Sequence, residues 1–317
     1  MPALGEGRID ADSELYYVSA AREKATYNGG HAVADMLLGL IGADIQASRS
    51  PAMHEGEADA HGIRCVYKLI DLARLGLTNA ALPDLLTAAE RQGFKGLNIT
   101  HPCKQEVIPL LTELSDSARV VGAVNTVVFG AGRRIGHNTD AWGFRRNFLD
   151  NLPGVSLRRV VQIGAGGAGA ATAYAALEMG AGDLVIIDTI PERAQVLADR
   201  LSATYSGRAR TAGDVREALV GADGLIHATP TGMDAHPGLP FSEALLRPDL
   251  WVAEVVYFPL ETELLRVAKR IGCRTLDGSG MAVAQAVEAF RLFTGLQADA
   301  SRMRAIFEKS AASGIAR

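Results

Sequence analysis

Residues 158–189 read RRVVQIGAGGAGAATAYAALEMGAGDLVIIDT, and the order of their parts decides the fold. The apolar run RRVVQIG predicts a strand, the alanine-rich run after the glycines predicts a helix stopped by Gly180, and DLVIIDT predicts the next strand. Strand, turn, helix and strand make the unit of a parallel sheet with right-handed crossovers. Gly164, Gly166 and Gly169 stand in G-x-G-x-x-G register, with Ala165, Gly167 and Ala168 between them. Such a hexapeptide is weak on its own; the strand before it and the helix after it make it specific. The first glycine allows the tight turn, the second lets backbone N–H groups reach a pyrophosphate, and the third permits close helix packing. The helix N-terminus adds partial positive charge where phosphate sits.

Asp188 ends the second strand, where an acid accepts hydrogen bonds from a ribose 2′-hydroxyl and repels a 2′-phosphate. Arg193, one helical turn later, could in principle pair with a phosphate, but Thr189 follows the acid where an NADP site favours a basic residue. The expectation is a Rossmann-type unit that prefers NAD to NADP. The plainer alternative is glycines that only pack a helix and an aspartate that only caps a strand; all four residues in register favour the nucleotide.

Working outward, the alternation continues downstream through ERAQVLADRLSAT, GLIHATP and WVAEVVY. Upstream, MLLGLIGADI predicts a strand, and Ser50 as N-cap with Pro51 at the first helical position opens a helix that Gly62 stops. CVYKLIDL and GLNIT are strands around the helix ALPDLLTAAERQG, and AVNTVVFGAGRRIGHNT is a strand pair around a Gly-Ala-Gly turn, followed by a helix over 142–152. The last segment, MAVAQAVEAFRLFTGL, is strongly helical with no strand after it, so it is expected to return to the first unit. The fold class is thus α/β with two domains, which also suits 317 residues. A discontinuous substrate-binding catalytic domain is expected at 1–139 and 279–317, completed by the C-terminal helices, with the NAD-binding Rossmann domain at 140–278.

Bulk properties exclude several classes. Hydrophobic residues at 48% and charged residues at 21% are ordinary globular usage. A net charge of -4 offers no basic field for a nucleic acid, so any anionic ligand must be held by local groups. The 3 cysteines, Cys65, Cys103 and Cys273, form no C-x-x-C pair, and His54 and His61 miss the i, i+4 spacing of a helical zinc motif, so no metal is expected. The opening MPALGEGRIDADSELYY lacks the basic start and apolar run of an export signal, and no apolar stretch is long enough for a membrane span. A cytoplasmic monomer or homodimer acting on a small molecule is expected.

Short polar clusters lie outside the glycine turn: Ser48-Arg49-Ser50-Pro51 with His54, Asn98-Ile99-Thr100-His101-Pro102-Cys103-Lys104, Asn125-Thr126, Asn138-Thr139-Asp140, and 277–285 reading DGSGMAVAQ. Most follow a strand or open a helix, which brings them to the carboxyl ends of a sheet, where α/β proteins bind ligands. These clusters, in this order around this glycine turn, resemble the shikimate dehydrogenase family from about Met36 to Phe307, closest to its NAD-using quinate/shikimate branch.

That resemblance implies roles. Oxidising a secondary alcohol needs a hydride acceptor and a base, and Lys104 and Asp140 match the pair that handles the proton. Desolvation lowers a lysine pKa and a neighbouring carboxylate raises it, so the two are expected to act as a coupled unit in which physics alone names neither as the sole base; Lys104 is assigned as proton carrier and Asp140 as its partner and a substrate ligand. Ser48 and Ser50 match the ligands of the substrate carboxylate, and Asn98, Thr100, Asn125 and Gln285 match those of the ring hydroxyls. Tyr257 matches the tyrosine beside substrate and nicotinamide, its alternative being ordinary core. Further cofactor contacts fall at Thr229, Pro230, Gly232, Met233, Val256 and Gly278, with Gly280 and Met281 flanking the nicotinamide unless Met281 is core. Cys103 stands where relatives often carry an aromatic residue and His227 where many carry Asn, departures that bear on pocket shape and nicotinamide contacts.

The implied activity is NAD-dependent, reversible oxidation of shikimate to 3-dehydroshikimate, with quinate to 3-dehydroquinate second. Some quinate-using relatives carry Thr at the position of Ser50, so serine leans towards shikimate. Aminoshikimate within the family, a non-catalytic metabolite or NAD sensor on the same fold, and a folate dehydrogenase are the rivals. Retention of Lys104 with Asp140 speaks against the sensor, and the polar clusters do not suit a flat pterin.

Overall fold

The computed structural model of the chain describes residues 36–312, and readings on residues 1–35 and 313–317, the export signal among them, lie outside the described residues. The first series runs β1 (Met36–Gly42), α1 (Ser50–Ala60), β2 (Cys65–Asp71), α2 (Leu72–Leu75), α3 (Leu82–Arg91), β3 (Phe94–Ile99), β4 (Glu113–Leu114), α4 (Asp116–Val121), β5 (Thr126–Gly130) and β6 (Arg133–His137). Its sheet has the order β2-β1-β3-β5-β6-β4. β1 is parallel to β2 and β3, whereas β5 is antiparallel to both β3 and β6. Reversing β5 has a positional consequence: its beginning, and the end of β6, lie at the same edge as the carboxyl ends of β1 and β3. Asn98, Asn125 and Asn138 therefore gather at one edge. The hairpin turns through Ala131 and Gly132, whose φ values of 51 and 72 match the mirror-image turn that suits strand twist.

After the linking helix α5 (Thr139–Asn151) comes the second series: β7 (Arg159–Ile163), α6 (Gly167–Glu178), β8 (Asp183–Ile187), α7 (Pro191–Thr204), β9 (Ala209–Thr211), α8 (Val215–Leu219), β10 (Gly224–His227), β11 (Trp251–Glu254), α9 (Glu263–Ile271) and β12 (Thr275–Leu276). The order β12-β11-β10-β7-β8-β9 is parallel throughout. The chain winds outward from β7 on one side, then crosses back to β10. That reversal opens a crevice at the carboxyl ends of β7 and β10, where open α/β sheets take ligands.

Two final helices, α10 (Ser279–Thr294) and α11 (Ala300–Ala312), return to the first sheet. Val287 and Phe290 of α10 and Met303 and Phe307 of α11 share a buried core with Leu38, Leu40 and Met53. Each such large side chain contributes roughly 1.5–3 kcal/mol of apolar burial. α5 joins the two series, since Phe144 and Phe148 are fully buried and Phe148 meets the Trp251 ring edge-on at 4.9 Å. It crosses α10 at Gly143, where a Cβ would come within 2.8 Å of the backbone of Met281 and Gln285. No helix among the described residues is long and apolar enough to cross a membrane.

The start of α1 corrects the sequence reading. Arg49, not Ser50, is the N-cap, already in helical conformation at φ -91 and ψ -3 and without a side-chain capping bond. With no extended residue at that point, Ser50 becomes the first helical residue and its N–H donates to Ser48 Oγ at 3.3 Å. The Ser50 hydroxyl instead meets the Tyr67 phenol.

Candidate active site

The edge assembled by the reversed β5 carries a continuous polar network. Asn138 caps α5 by accepting from Ala141 N at 3.0 Å, which places Asp140 in the first turn, near the positive end of the helix. Lys104, on the loop after β3, donates from Nζ to Asp140 Oδ2 at 2.6 Å, and the two side chains are only 19% and 10% exposed. Asn125 Nδ2 donates to the other oxygen, Oδ1, at 2.8 Å, and Asn125 Oδ1 accepts from Thr139 N at 2.7 Å. Asn98 Nδ2 donates to Thr126 Oγ1 at 3.0 Å, and Thr139 Oγ1 donates to Gln285 Oε1 at 3.3 Å. Apart from the one ion pair, this wall is uncharged, which suits a ligand rich in hydroxyls; a missing hydroxyl would leave buried polar atoms unpaired. Ser48, Ser50 and Thr100 sit half-buried at the same edge.

Tyr67 belongs to this network although its letters announce only core. It is buried in β2 and its Oη donates to Asn98 Oδ1 at 2.8 Å, which fixes the orientation of that amide. Burial pushes the phenol pKa up, with the Ser50 contact opposing, so Tyr67 remains a donor. Behind it stacks His54 at 5.1 Å, fully buried and pushed down to about 3 by desolvation, hence neutral. Only knowledge that β2 borders β1, and β1 borders β3, could have revealed Tyr67.

Asp71, at the end of β2, holds the loop that leads to Ser48. Its carboxylate accepts from Asp44 N at 3.0 Å, Ile45 N at 3.1 Å and Gln46 Nε2 at 2.9 Å. Burial alone would raise its pKa, but these bonds and one from Arg74 N outweigh it, and the net shift is downward. A depressed pKa contributes stability that is present above the unfolded value and is lost as pH falls through the folded one. Asp71→Asn is expected to lose on the order of 2–3 kcal/mol near pH 7, since its amide turns a donor on donors. In urea titrations the gap from wild type should close on acidification below about pH 4; a gap independent of pH would contradict this.

On the nucleotide side, Gly164 has φ +106 and a Cβ there would lie 2.3 Å from Ala228 O, while one at Gly169 would lie 2.2 Å from Gly164 O. Gln162 Nε2 ties the turn by donating to Gly164 O at 2.9 Å and Gly169 O at 2.7 Å, a role its letter did not suggest. Gly166 faces open space. Asp188 accepts from Ala165 N at 2.7 Å and from Ile190 N at 2.9 Å, so the acid also braces the turn. Asp188 is half-buried, whereas Thr189 and Arg193 are both exposed. A turn closed by glycines, open at Gly166 and edged by an acid fits a pyridine nucleotide. At Gly167 the two sides meet, since a Cβ would lie 3.3 Å from Lys104 Cδ.

The remaining expected residues divide. Thr229, Pro230, Gly232 and Met233 follow β10, and Val256 and Tyr257 follow β11, at the crevice edge. Gly278 reaches them, since a Cβ there would lie 2.2 Å from Val255 O and 2.7 Å from Val256 O. Tyr257 is 43% exposed as a residue; burial of its phenol raises the pKa, while the charges of Lys104 and Arg49 oppose that rise. At Gly280 a Cβ would strike Asn147 of α5, so helix packing requires a glycine here. Met281 lies in the core that contains Ala165 and Phe144. Cys103 is also core, fully buried beside Ile99 and Val107, with burial pushing its thiol up to about 11. His227 is buried under the crevice, with Nε2 2.6 Å from Thr229 Oγ1.

Residues 40–127 match the family model for the shikimate dehydrogenase substrate binding domain, and residues 278–306 match that for the shikimate 5'-dehydrogenase C-terminal domain. A shikimate dehydrogenase (NADP(+)) of Streptomyces avermitilis is 55% identical over 89% of this chain and 98% of its own length. A quinate/shikimate dehydrogenase (NAD(+)) of Corynebacterium efficiens is 52% identical over 86% and 97%. Among solved structures, quinate dehydrogenase from Corynebacterium glutamicum in complex with NAD aligns at a TM-score of 0.81 and 49% identity, covering 87% of this chain and 99% of that one.

Proposed function

The chain belongs to the shikimate dehydrogenase family, and from that premise we propose that it oxidises shikimate to 3-dehydroshikimate reversibly with NAD, and quinate to 3-dehydroquinate as a second activity. The observation that carries this reading is Lys104 Nζ 2.6 Å from Asp140 Oδ2, with the lysine stem against the glycine turn at Gly167. The bound nucleotide supplies the hydride acceptor. The chain supplies the rest: the Lys104–Asp140 unit receives the hydroxyl proton, Asn125 holds Asp140 in place, and Asn98, Thr100 and Gln285 orient the ring hydroxyls. Ser48 and Ser50 take the carboxylate, and Tyr257 lies across the substrate and nicotinamide. A sensor would need no proton relay, and the close ion pair favours the enzyme.

Relatives divide between NADP(+) and NAD(+) by name. The acid at 188, followed by Thr189 instead of a basic residue, supports NAD. The matching division of the chain is a substrate half at 1–139 and 279–317 and a nucleotide half at 140–278, supported by the packing of α10 and α11 on β1. Steady-state rates of shikimate and quinate, each with NAD and NADP, test the proposal. The highest kcat/KM is expected for shikimate with NAD. A higher value with NADP would overturn the reading of Asp188, and no turnover in any combination would favour the sensor.

A further inference from the structure

We infer that Arg49 recognises the substrate carboxylate, donating from its guanidinium to the anion beside Ser48 and Ser50; this deepens the proposed function and rests on its reading of those serines. The guanidinium carbon lies 4.4 Å from the centre of the Phe307 ring and 5.8 Å from that of Phe258. Phe307 belongs to α11, which packs on the first sheet, and Phe258 follows β11 of the second. A flat, weakly hydrated cation stacks well on such faces and keeps its edge for a planar acceptor such as a carboxylate.

That edge is unmet. Arg49 Nη1 is buried with no hydrogen-bond partner, and no ion pair to Arg49 exists among the described residues. Burial lowers its pKa, with the Tyr257 phenol opposing. A desolvated cationic donor left without an acceptor is costly, and no acidic residue among the described residues is placed against it. An acceptor carried by the ligand removes that cost. The net charge of -4 gives no general attraction for an anion, so a local cation is what such a substrate requires.

Position agrees. Arg49 stands between the two serines in sequence, and Tyr257 feels Arg49 as well as Lys104 and Asp140. Tyr257 is thus near enough to both the unpaired cation and the proton-handling pair to feel the charge of each. A molecule with a carboxylate at one end and a reacting hydroxyl at the other matches that polarity.

The test uses the full chain with saturating NAD and two probes, shikimate and shikimate methyl ester, which keeps the ring hydroxyls and removes the charge. Arg49→Met is expected to raise KM for shikimate roughly 10- to 100-fold, the loss of one charge-assisted hydrogen bond, while changing KM for the ester less than about threefold. An unchanged KM for shikimate, or equal losses on acid and ester, overturns the inference, since equal losses mean packing alone. Should Arg49→Met melt well below wild type, Arg49→Gln, which keeps a polar head and removes the charge, carries the same comparison: a loss confined to the acid supports the inference, and no loss or an equal loss overturns it. Ser50→Ala separates the two readings. If it erases discrimination between acid and ester while Arg49→Met does not, only the inference fails; if neither variant alters discrimination, the serine reading fails too.

Discussion

Lys104→Ala should lower kcat by roughly 10²- to 10⁴-fold, about 3–5 kcal/mol of transition-state stabilisation, while KM for NAD stays near wild type. The size follows from what the amine touches. Asp140 has Lys104 on Oδ2 and Asn125 on Oδ1, so the carboxylate is held from two sides. Removing the amine removes the group proposed to meet the hydroxyl proton and frees one oxygen of its partner. The Asn125 bond and the capping bond at Asn138 keep α5 and Asp140 where they are, so the loss should be chemical and not a collapse of the site. The glycine turn is braced independently by Gln162 and Asp188, and therefore nucleotide binding should survive. The check is kcat and KM for each substrate together with the melting temperature. A variant with wild-type turnover would remove Lys104 from the mechanism.

The contrast between what the letters disclosed and what they hid has a physical basis. The glycine turn and its acid were legible because each of Gly164, Gly166, Gly169 and Asp188 meets a backbone requirement set within one strand-turn-helix-strand unit. The alternation of apolar runs with helices was legible for the same reason: burial on both sheet faces imprints a local pattern. Groups that act across strands left no such imprint. Tyr67 and Asn98 lie on β2 and β3, and their bond exists because β1 runs between those strands. The packing role of Gly280 was hidden for the same reason, since an added Cβ would strike Asn147 on α5, more than a hundred residues earlier. Ser50 read as a cap from its place before Pro51, and the helical backbone already present at Arg49 overruled it. Cys103 and His227 looked like departures in the pocket; both side chains point into the interior, where only the packing of neighbouring elements decides their role.

His227 leads to the second large effect, expected in stability. It is the register partner of Glu254 across β10 and β11, and both side chains are completely buried. Glu254 Oε1 accepts from Val255 N at 2.9 Å and Val256 N at 3.0 Å, while Oε2 accepts from Thr262 Oγ1 at 3.1 Å and lies 2.9 Å from His227 Nδ1. A carboxylate can only accept, so the bond assigns a proton to Nδ1. Nε2 then reaches Thr229 Oγ1 at 2.6 Å. One buried carboxylate thus fixes both loops that leave the sheet at the crevice, the one after β10 and the one after β11. Glu254→Ala would strand two backbone N–H groups, a threonine hydroxyl and an imidazole in the interior. Breaking a buried, fully bonded pair from one side costs about 3–5 kcal/mol, a large part of the roughly 5–15 kcal/mol that holds a domain together. At about 2–4 °C per kcal/mol for a chain of this size, the melting temperature should fall by roughly 6–20 °C. Because Thr229 and Val256 belong to the proposed nicotinamide side, KM for NAD should rise at temperatures where the variant is still folded, with shikimate affinity much less affected. A Glu254→Ala protein that melts within about 2 °C of wild type would mean that these donors find other partners, and that the carboxylate does not organise the two loops.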